Sequence, residues 1–324
     1  MIQTATTAAG ARTKLDPRLY QIFVLASLLG YGMFVLDFEI AGGRASAILA
    51  VALLTQYGCT RLWKLPAFDP RSALISGLSL CLILRTNSVG LAFTATIITI
   101  ASKFVLRFNG KHLFNPTNFG IVAMMLLTGQ VWVSPGQWGN VAFFAFLMAC
   151  LGGLVVNRAA RSDVTYAFIA FYMALVFGRS IWLGEPLAIP LHRLQNGALL
   201  LFTFFMISDP RTTPSSRAGR IVFALLVACG AWYVQFRLFR TNGLLWSLAT
   251  FSMTVPLIDW LLPGTRYEWA RPTIGVGTSR YLTSPYLLKE VMHETTDSGG
   301  GPDRGSRLAW LGSPRVLRFL RREG

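Results

Sequence analysis

The sequence is poor in acidic residues, in charge of either sign and in histidine. Of its 324 residues, 14 are Asp or Glu, three are His, and 14% are charged. Soluble domains carry about 25% charged residues, so this deficit argues against a soluble fold. The three histidines, His112, His192 and His293, are far apart in the chain, which argues against a histidine metal site.

Cysteine chemistry and the common catalytic motifs are missing as well. The four cysteines stand singly inside apolar runs, without the spacing of metal ligands: Cys59, Cys81, Cys150 and Cys229. This pattern predicts packing thiols. The sequence has no G-x-S-x-G element, no P-loop, no dinucleotide-binding fingerprint and no C-x-x-C pair.

What the sequence does have is apolar length, since 53% of its residues are hydrophobic. Ten apolar runs can be distinguished, and they predict an all-α polytopic membrane protein with ten transmembrane helices. The runs cover approximately residues 20–37, 44–62, 72–86, 89–106, 117–133, 140–157, 164–183, 196–208, 219–236 and 243–262. The formal net charge of +16 falls between these runs, which favours contact with the lipid bilayer over nucleic acid.

Two of the ten runs are too short to cross a bilayer, which takes about 20 apolar residues. The eighth run stops at the Ser208–Pro214 segment (SDPRTTP), and the third run, in Gly77–Ser88, stops at Arg85-Thr86-Asn87-Ser88. Paired short segments at matching places in two halves are the best sequence indication of a binding site in a membrane transporter. We therefore expect two broken helices that bring polar groups toward the bilayer interior.

The two sets of five runs predict an inverted 5+5 repeat, residues 17–133 and 138–262. Pro70 matches Pro190, Asn87 matches Asp209, and Asn118 matches Asn242, at slowly drifting offsets of 120, 122 and 124. Because five is odd, the halves must lie in opposite orientations. Basic residues number fourteen on one predicted side and six on the other, so both termini are predicted to be cytoplasmic. Residues 1–16 then form an N-terminal cytoplasmic tail.

The loop Lys103–Gly120 (KFVLRFNGKHLFNPTNFG) is the most distinctive polar stretch. Asn115 and Pro116 suit the start of a helix, one as its cap and the other in its first turn. That structural interpretation stands beside a functional one, in which the positive end of this helix receives an anion such as a flavin phosphate or a carboxylate. The candidate cofactor-binding residues here are Lys111, His112, Asn115, Pro116, Thr117 and Asn118.

The segment after the eighth run supplies three more cofactor-binding candidates, Asp209, Pro210 and Thr212. Asp209 either caps the following turn, pairs with a nearby arginine, or serves as a cation or proton site at the end of a broken membrane helix. Arg85 either extends to the interface or belongs to an ion or substrate pathway, for which Asn87 and Asp209 are further candidates.

Residues 263–324 differ in composition from everything before them. Gly, Ser, Pro and charged residues dominate, which predicts a flexible basic cytoplasmic tail. Arg307–Arg322 (RLAWLGSPRVLRFLRR) interleaves arginine with apolar residues. It is either a short helix on the anionic leaflet or a disordered segment.

At GKHLFNPTNFG and SDPRTTP the sequence resembles the NqrB/RnfD family. These proteins are membrane components of the sodium-pumping NADH:quinone oxidoreductase and of the Rnf electron-transport complex. The sequence is most similar to stand-alone relatives encoded in enediyne biosynthesis clusters and other bacterial genomes. The resemblance covers roughly residues 17–262. It implies a bacterial inner-membrane protein with the ten-helix inverted repeat seen in urea transporters.

The same resemblance implies bound flavin. In the family, one flavin mononucleotide is attached to the threonine of a Ser-Gly-Ala-Thr motif near the fifth and sixth helices. That motif is absent here, and the connection is the short Val131–Gly139 (VWVSPGQWG). We therefore expect FMN or riboflavin to bind without a covalent bond.

Three functions follow from these observations. The first is membrane electron transfer with a non-covalent flavin, as one component of an oxidoreductase that lacks a complete active site of its own and works with a redox partner. The second is transport of a solute or natural product on the same scaffold. The third is a membrane anchor for partner proteins that acts through the basic tail. The sequence leaves the oligomeric state open.

Overall fold

A computed structural model describes residues 16–36, 40–134, 162–194 and 196–267. Within these ranges the helices are α1 (Pro17–Phe34), α2 (Gly42–Leu62), α3 (Pro70–Ile83), α4 (Val89–Val105), α5 (Pro116–Thr128), α6 (Ser162–Leu183), α7 (Ala188–Leu194), α8 (Gly197–Leu201), α9 (Arg217–Phe236), α10 (Gly243–Ser252) and α11 (Val255–Leu261). The strands there are β1 (Leu84–Arg85), β2 (Arg107–Phe108), β3 (Lys111–His112) and β4 (Trp132–Val133). The predicted sixth run and nearly all of the tail fall outside the described residues.

Several helices have the length and composition of membrane spans. In the part of the chain that the structure describes, α2, α6 and α9 are long and apolar enough to cross a bilayer, and α10 with α11 forms a fourth candidate bent by 52°. The apolar helices α3, α4 and α5 are shorter. The chain is therefore a helical membrane protein, while the count of ten spans stays a prediction.

The helices pack through small residues where they approach most closely. In the first half, α2 contacts α3 and α4, α4 contacts α5, and α1 contacts α3; in the second, α9 contacts α6 and α10. A Cβ added at Gly120 of α5 would lie 1.8 Å from Thr99 Oγ1 of α4. Gly120 thus permits the α4–α5 contact, as small residues do in membrane helix pairs.

The third and fifth runs end earlier than their apolar composition predicts. The third helix stops at Ile83, and the fifth stops at Thr128 because Gly129 takes a left-handed conformation with φ of 63°. The chain beyond each helix is extended, and β1 pairs antiparallel with β4, with Leu84 opposite Val133. The predicted boundaries at 86 and 133 are therefore wrong, since hydropathy cannot distinguish a buried two-residue strand from a last helical turn.

The eighth run is short, as predicted, and its geometry is unusual. After α8 the chain continues as a single π-helical turn, Phe202–Met206, and the helix is over before Asp209. Such turns occur frequently at functional sites. The short helix α7, which precedes this run, was not predicted.

The tenth run is two helices instead of one. The chain bends between Ser252 and Val255, where the Thr254 hydroxyl donates to the Phe251 carbonyl (2.8 Å). Pro256 lies in the first turn of α11. Because proline has no backbone N–H and its ring clashes with the preceding turn, a continuous helix is disfavoured here. The predicted run over 243–262 is therefore a bent pair of helices and not one straight helix.

Candidate functional site

A cavity of about 280 Å³, lined by both polar and apolar side chains, lies at one end of the helix bundle. Its wall combines the starts of α1, α3 and α5, the ends of α2 and α4, and a segment that runs from the end of the π-helical turn to Arg211. Six of the predicted cofactor-binding residues line it: His112, Asn115, Pro116, Thr117, Asp209 and Pro210. The Asn115–Asn118 motif and the Asp209-Pro210 turn, which are about 90 residues apart in the sequence, therefore both contribute to one cavity.

Asn115 connects these two motifs directly. Its Oδ1 accepts the Asn118 backbone N–H (3.1 Å) and so caps α5, as predicted. Its Nδ2 donates to the Met206 carbonyl and to Asp209 Oδ2, each at 3.4 Å. One side chain thus begins α5 and positions the end of the broken eighth run beside it.

Asp209 organises the turn in which that run ends. Its Oδ1 accepts the Arg211 backbone N–H (3.0 Å), and its carbonyl accepts the backbone N–H groups of Thr212 and Thr213, both at 3.1 Å. The predicted capping role is therefore correct. The carboxylate lies beside Asn115 Nδ2, so it is also part of the cavity wall.

Cations outnumber acids in the cavity, and sequence reasoning used them only to predict orientation. Arg18, Lys103, Arg107 and Arg211 line it, against Asp69 and Asp209. The spacing of Lys103 and Arg107 was the available signal, because residues four apart at the end of a helix share one face.

Lys103 is buried, and Arg107 and Arg211 are exposed at the rim. Lys103 Nζ donates to the Ser72 carbonyl (2.6 Å) and to Ser72 Oγ (3.1 Å). Burying an ammonium group is costly unless it is solvated by other polar groups. The α3 start supplies part of that solvation.

Among the neutral polar residues of the wall, two have a buried side-chain atom with no hydrogen-bond partner within the described residues: Gln56 Oε1 and His112 Nδ1. Burial and, after it, the charges of Arg107, Arg211 and Lys103 together lower the pKa of His112 to about 3, while a hydrogen bond with the Lys103 backbone acts in the opposite direction. His112 is therefore neutral at physiological pH. Unsatisfied buried polar atoms are rare and require an explanation, and a ligand in this cavity would supply one.

A network of four charges braces the cavity at the starts of α1 and α3. Arg18 pairs with Asp16 (2.7 Å) and Asp69, and Arg71 pairs with Asp16 (2.6 Å) and Asp69 (3.2 Å).

The helices α1 and α3 both begin with Asp-Pro-Arg, and the same tripeptide recurs at Asp209-Pro210-Arg211. The recurrence was visible in the sequence and was missed. Only the fold shows that all three copies meet at one cavity.

The other predicted site residues lie elsewhere. Asn118 is fully buried and donates from Nδ2 to the Leu245 carbonyl of α10 (3.2 Å), and the Thr212 hydroxyl donates to the Asp209 carbonyl (3.2 Å). Lys111 lies in a second cavity, where its Nζ pairs with Asp259 (2.8 Å). None of these three lines the first cavity.

Arg85 and Asn87 lie at the other end of α3. Arg85 is buried and donates from Nη1 to the carbonyls of Cys81 (3.0 Å) and Leu84 (2.9 Å), whereas Asn87 is exposed. These carbonyls hold the Arg85 guanidinium inside the protein, and its place on an ion or substrate pathway stays a prediction. An α3 of 14 residues spans about 21 Å, so Arg85 and Asp209 share no single pocket.

The arrangement suits an anionic or electron-rich planar ligand. The inner wall offers neutral donors and acceptors with one buried ammonium, and the rim offers two guanidinium groups. Among the described residues, no group of three or more His, Cys, Asp or Glu is arranged to hold a metal ion. The class that fold and cavity define is thus a helical membrane protein with an internal cavity whose charged lining residues are mainly cationic among the described residues.

Comparison with known proteins identifies a family over part of the chain. The model of the NQR2, RnfD, RnfE family matches residues 123–268. This segment includes the Asp209 turn and begins after the Asn115–Asn118 motif. The resemblance expected from the sequence motifs is thereby confirmed over that segment.

Curated relatives carry a consistent description, the RnfD component of an ion-translocating oxidoreductase complex. The chain is similar to the protein of this description from Erwinia tasmaniensis, with 31% identity over 46% of this chain and 38% of that protein. The corresponding protein from Pectobacterium carotovorum is 29% identical over 45% of this chain and 39% of its own. The protein of this description from Escherichia coli K12 is 28% identical over 42% of this chain and 36% of its own length. The chain thus spans less than half the length of these curated relatives.

Proposed function

We propose that the chain is an RnfD-type membrane component of an ion-translocating oxidoreductase, and that it carries electrons through a flavin held without a covalent bond. The observation that carries this proposal is Asn115, which joins the α5 start to the Asp209 turn at the wall of a cationic cavity. The similarity of residues 123–268 to the family supports the same assignment. Other proteins of such a complex are the proposed partners.

The proposed architecture keeps the ten-helix inverted repeat over residues 17–262, with both termini in the cytoplasm of a bacterial cell. Packing supports it, because α2 contacts α4 and α4 contacts α5 much as α6 contacts α9 and α9 contacts α10. A close helix approach at a glycine also occurs in both predicted halves. A Cβ on Gly243 would lie 2.7 Å from the Ala231 carbonyl of α9, as one on Gly120 would meet α4. These two glycines are 123 residues apart, within the predicted offsets.

The cavity fits a flavin in part. Its volume of about 280 Å³ is near the lower end of ligand pockets, roughly 300–1,000 Å³, so it suits a ring system better than a whole mononucleotide. Gln56 Oε1 and His112 Nδ1 provide acceptors, and Asn115 and Thr117 provide polar groups at the positive end of α5. Arg107 and Arg211 at the rim would hold a phosphate.

In this proposal a bound flavin supplies one- and two-electron transfer, and the chain supplies orientation, electrostatics and exclusion of water. Lys103 brings an amine inside the cavity, and its protonated form would favour negative charge on a ligand. The neutral His112 offers hydrogen bonding without adding charge. An ion path would run along α3, with Asp209 at the cavity end and Arg85 and Asn87 at the other.

Flavin binding by the purified full chain tests the proposal. We expect visible flavin absorbance, or uptake of added FMN with quenching of its fluorescence. Asn115→Ala should lower the affinity about tenfold, because it removes the α5 cap and the contact with Asp209. The matched control is Asn87→Ala, whose side chain is exposed at the far end of α3, and it should bind like wild type.

A variant of a rim arginine distinguishes binding of the flavin phosphate from binding of the flavin ring. Arg211→Gln should weaken FMN about tenfold and leave riboflavin unchanged, because only FMN carries the phosphate. A colourless protein that takes up neither flavin would contradict the proposal. Equal loss of both flavins in Arg211→Gln would contradict the role assigned to the rim.

Transport is the second candidate function, and the absence of the covalent attachment motif favours it. A polar cavity beside a broken helix is also how transporters bind solutes near an unwound segment. Stand-alone relatives in enediyne clusters would then move a natural product. Vesicle flux of such a compound that disappears in Asp209→Asn would support transport, and absence of flux would exclude it.

A further inference from the structure

A second and larger cavity, of about 570 Å³, lies next to the first. Its wall combines the β2–β3 hairpin with α11 and the chain that follows α11, Gly264–Arg266. His112 lines both cavities and so stands between them. Nothing in the proposed electron-transfer function uses this second space.

The polar side of the second cavity is cationic. Lys111 and Arg266 line it against one carboxylate, Asp259, among the described lining residues. Asp259 accepts from Lys111 Nζ (2.8 Å) and from the Ser215 backbone N–H (2.7 Å), which fixes the lysine at the wall. The Arg266 guanidinium donates to the Asn109 carbonyl at the hairpin turn. A guanidinium has five N–H donors, so this bond leaves others for a ligand.

The opposite side of the cavity is apolar and continues onto the surface. Leu257 and Trp260 line it and are 55% and 76% exposed. Leu261 lies four residues after Leu257 on α11 and is exposed as well. Residues at this spacing share one helix face, so an apolar strip along α11 leads into a cationic pocket.

We propose that this pocket holds the phosphate headgroup of an anionic phospholipid, whose acyl chains lie along the exposed face of α11. Basic pockets beside membrane helices bind such headgroups, and tryptophan favours the headgroup level. Charge complementarity excludes a basic segment as the occupant, including the arginine-rich end of this chain. The apolar strip distinguishes a lipid from free phosphate, which would need no such surface.

Native mass spectrometry of the full chain, titrated with phosphatidylglycerol or phosphatidylcholine in neutral detergent, tests this site. Wild type should retain phosphatidylglycerol in preference to phosphatidylcholine. Arg266→Gln should lower phosphatidylglycerol retention about fivefold, as expected for the loss of one basic contact with an anionic lipid. Arg240→Gln is the matched control, because this exposed arginine follows α9 at the far end of the bundle, and it should retain lipid like wild type.

Further variants keep the result interpretable. Arg266→Lys preserves the charge and should keep most of the retention, while Trp260→Ala preserves the charge and should lower it by removing the apolar wall. Equal retention of both lipids by wild type, or unchanged retention in Arg266→Gln and Trp260→Ala, would overturn the proposal. Displacement of the lipid by millimolar inorganic phosphate would instead identify a free-phosphate site. Flavin content is measured in the same variants by absorbance. The phospholipid site and the flavin-binding function can therefore be contradicted independently of each other.

Discussion

Both ends of α3, a helix too short for a full span, have charged residues: Asp69 and Arg71 at its start and Arg85 just after its end. The charges at the two ends differ in what they contact. At the Asp69–Arg71 end, acids and arginines pair with one another and further cations line a cavity of about 280 Å³. At the other end, Arg85 donates to the Cys81 carbonyl in α3 and to the Leu84 carbonyl just after α3, and the adjoining space is about 10 Å³. That volume holds about one water molecule.

The difference shows why a polar residue at the end of a broken helix is a weak sign of a site. A helix ends with carbonyls that have no partner, and an arginine beside them can satisfy those carbonyls. Arg44 does the same for the Thr86 carbonyl (3.0 Å). At the helix start the free groups are N–H donors, which the acids cap, while Arg18, Lys103, Arg107 and Arg211 line the cavity.

Replacement of the buried cation at each end should give opposite results. Lys103→Met should leave folding nearly unchanged, because its backbone partner Ser72 lies at a helix start near water, but should weaken FMN at least tenfold. Arg85→Met should keep flavin affinity and lower the free energy of unfolding by about 1–3 kcal/mol, since two buried carbonyls lose their donor. Flavin titration and denaturant unfolding in mixed micelles measure the two effects. The comparison fails if both variants lose flavin equally.

Acid should destabilise the cavity end through His112. Its pKa is about 3 in the folded protein because of burial and neighbouring cations, against about 6.5 when unfolded. Between these values the unfolded state binds the proton and the folded state does not, so stability falls as pH falls from 6.5 toward 3. From pH 7 to 5, wild type should lose about 2 kcal/mol more than His112→Asn.

The measurement for His112 is the difference in unfolding free energy between wild type and His112→Asn at several pH values. Above pH 7 that difference should be constant, because both states of the histidine are then neutral. A difference that stays constant down to pH 5 would show that His112 titrates normally and would remove the burial argument.

The charge network should contribute least. Arg71→Ala removes two partly exposed ion pairs, with Asp16 and Asp69, while the pairs of Arg18 remain. Such pairs typically contribute about 0.2–1 kcal/mol each and weaken with salt. We expect a destabilisation of about 1 kcal/mol that shrinks in high salt, with unchanged flavin affinity. A larger loss that persists in high salt would mean that the network holds the cavity open.

Much of the membrane fold could be predicted from the sequence. Long apolar runs predict helices because a bilayer satisfies no backbone polar group, and most of the described helices lie within a few residues of the predicted runs. Asn115-Pro116 and Asp209-Pro210 identified a helix start and a helix end from local chemistry alone, since capping depends only on neighbouring residues. The early ends of α3 and α5 were missed because Leu84 and residues 131–133 continue the apolar composition of the runs, and hydropathy does not distinguish an extended segment from a helical turn.

The sequence by itself therefore determined the class of protein, the short third and eighth runs, and two motifs with capping chemistry. Only the tertiary structure decided that Asn115 contacts Asp209, that Lys103 and Gln56 share their cavity, and that Lys111 and Asn118 belong elsewhere. The physical reason is the distance along the chain over which each kind of interaction acts. Apolar periodicity and caps act over a few residues, whereas a cavity is made by side chains that are about 100 positions apart and meet only when helices pack.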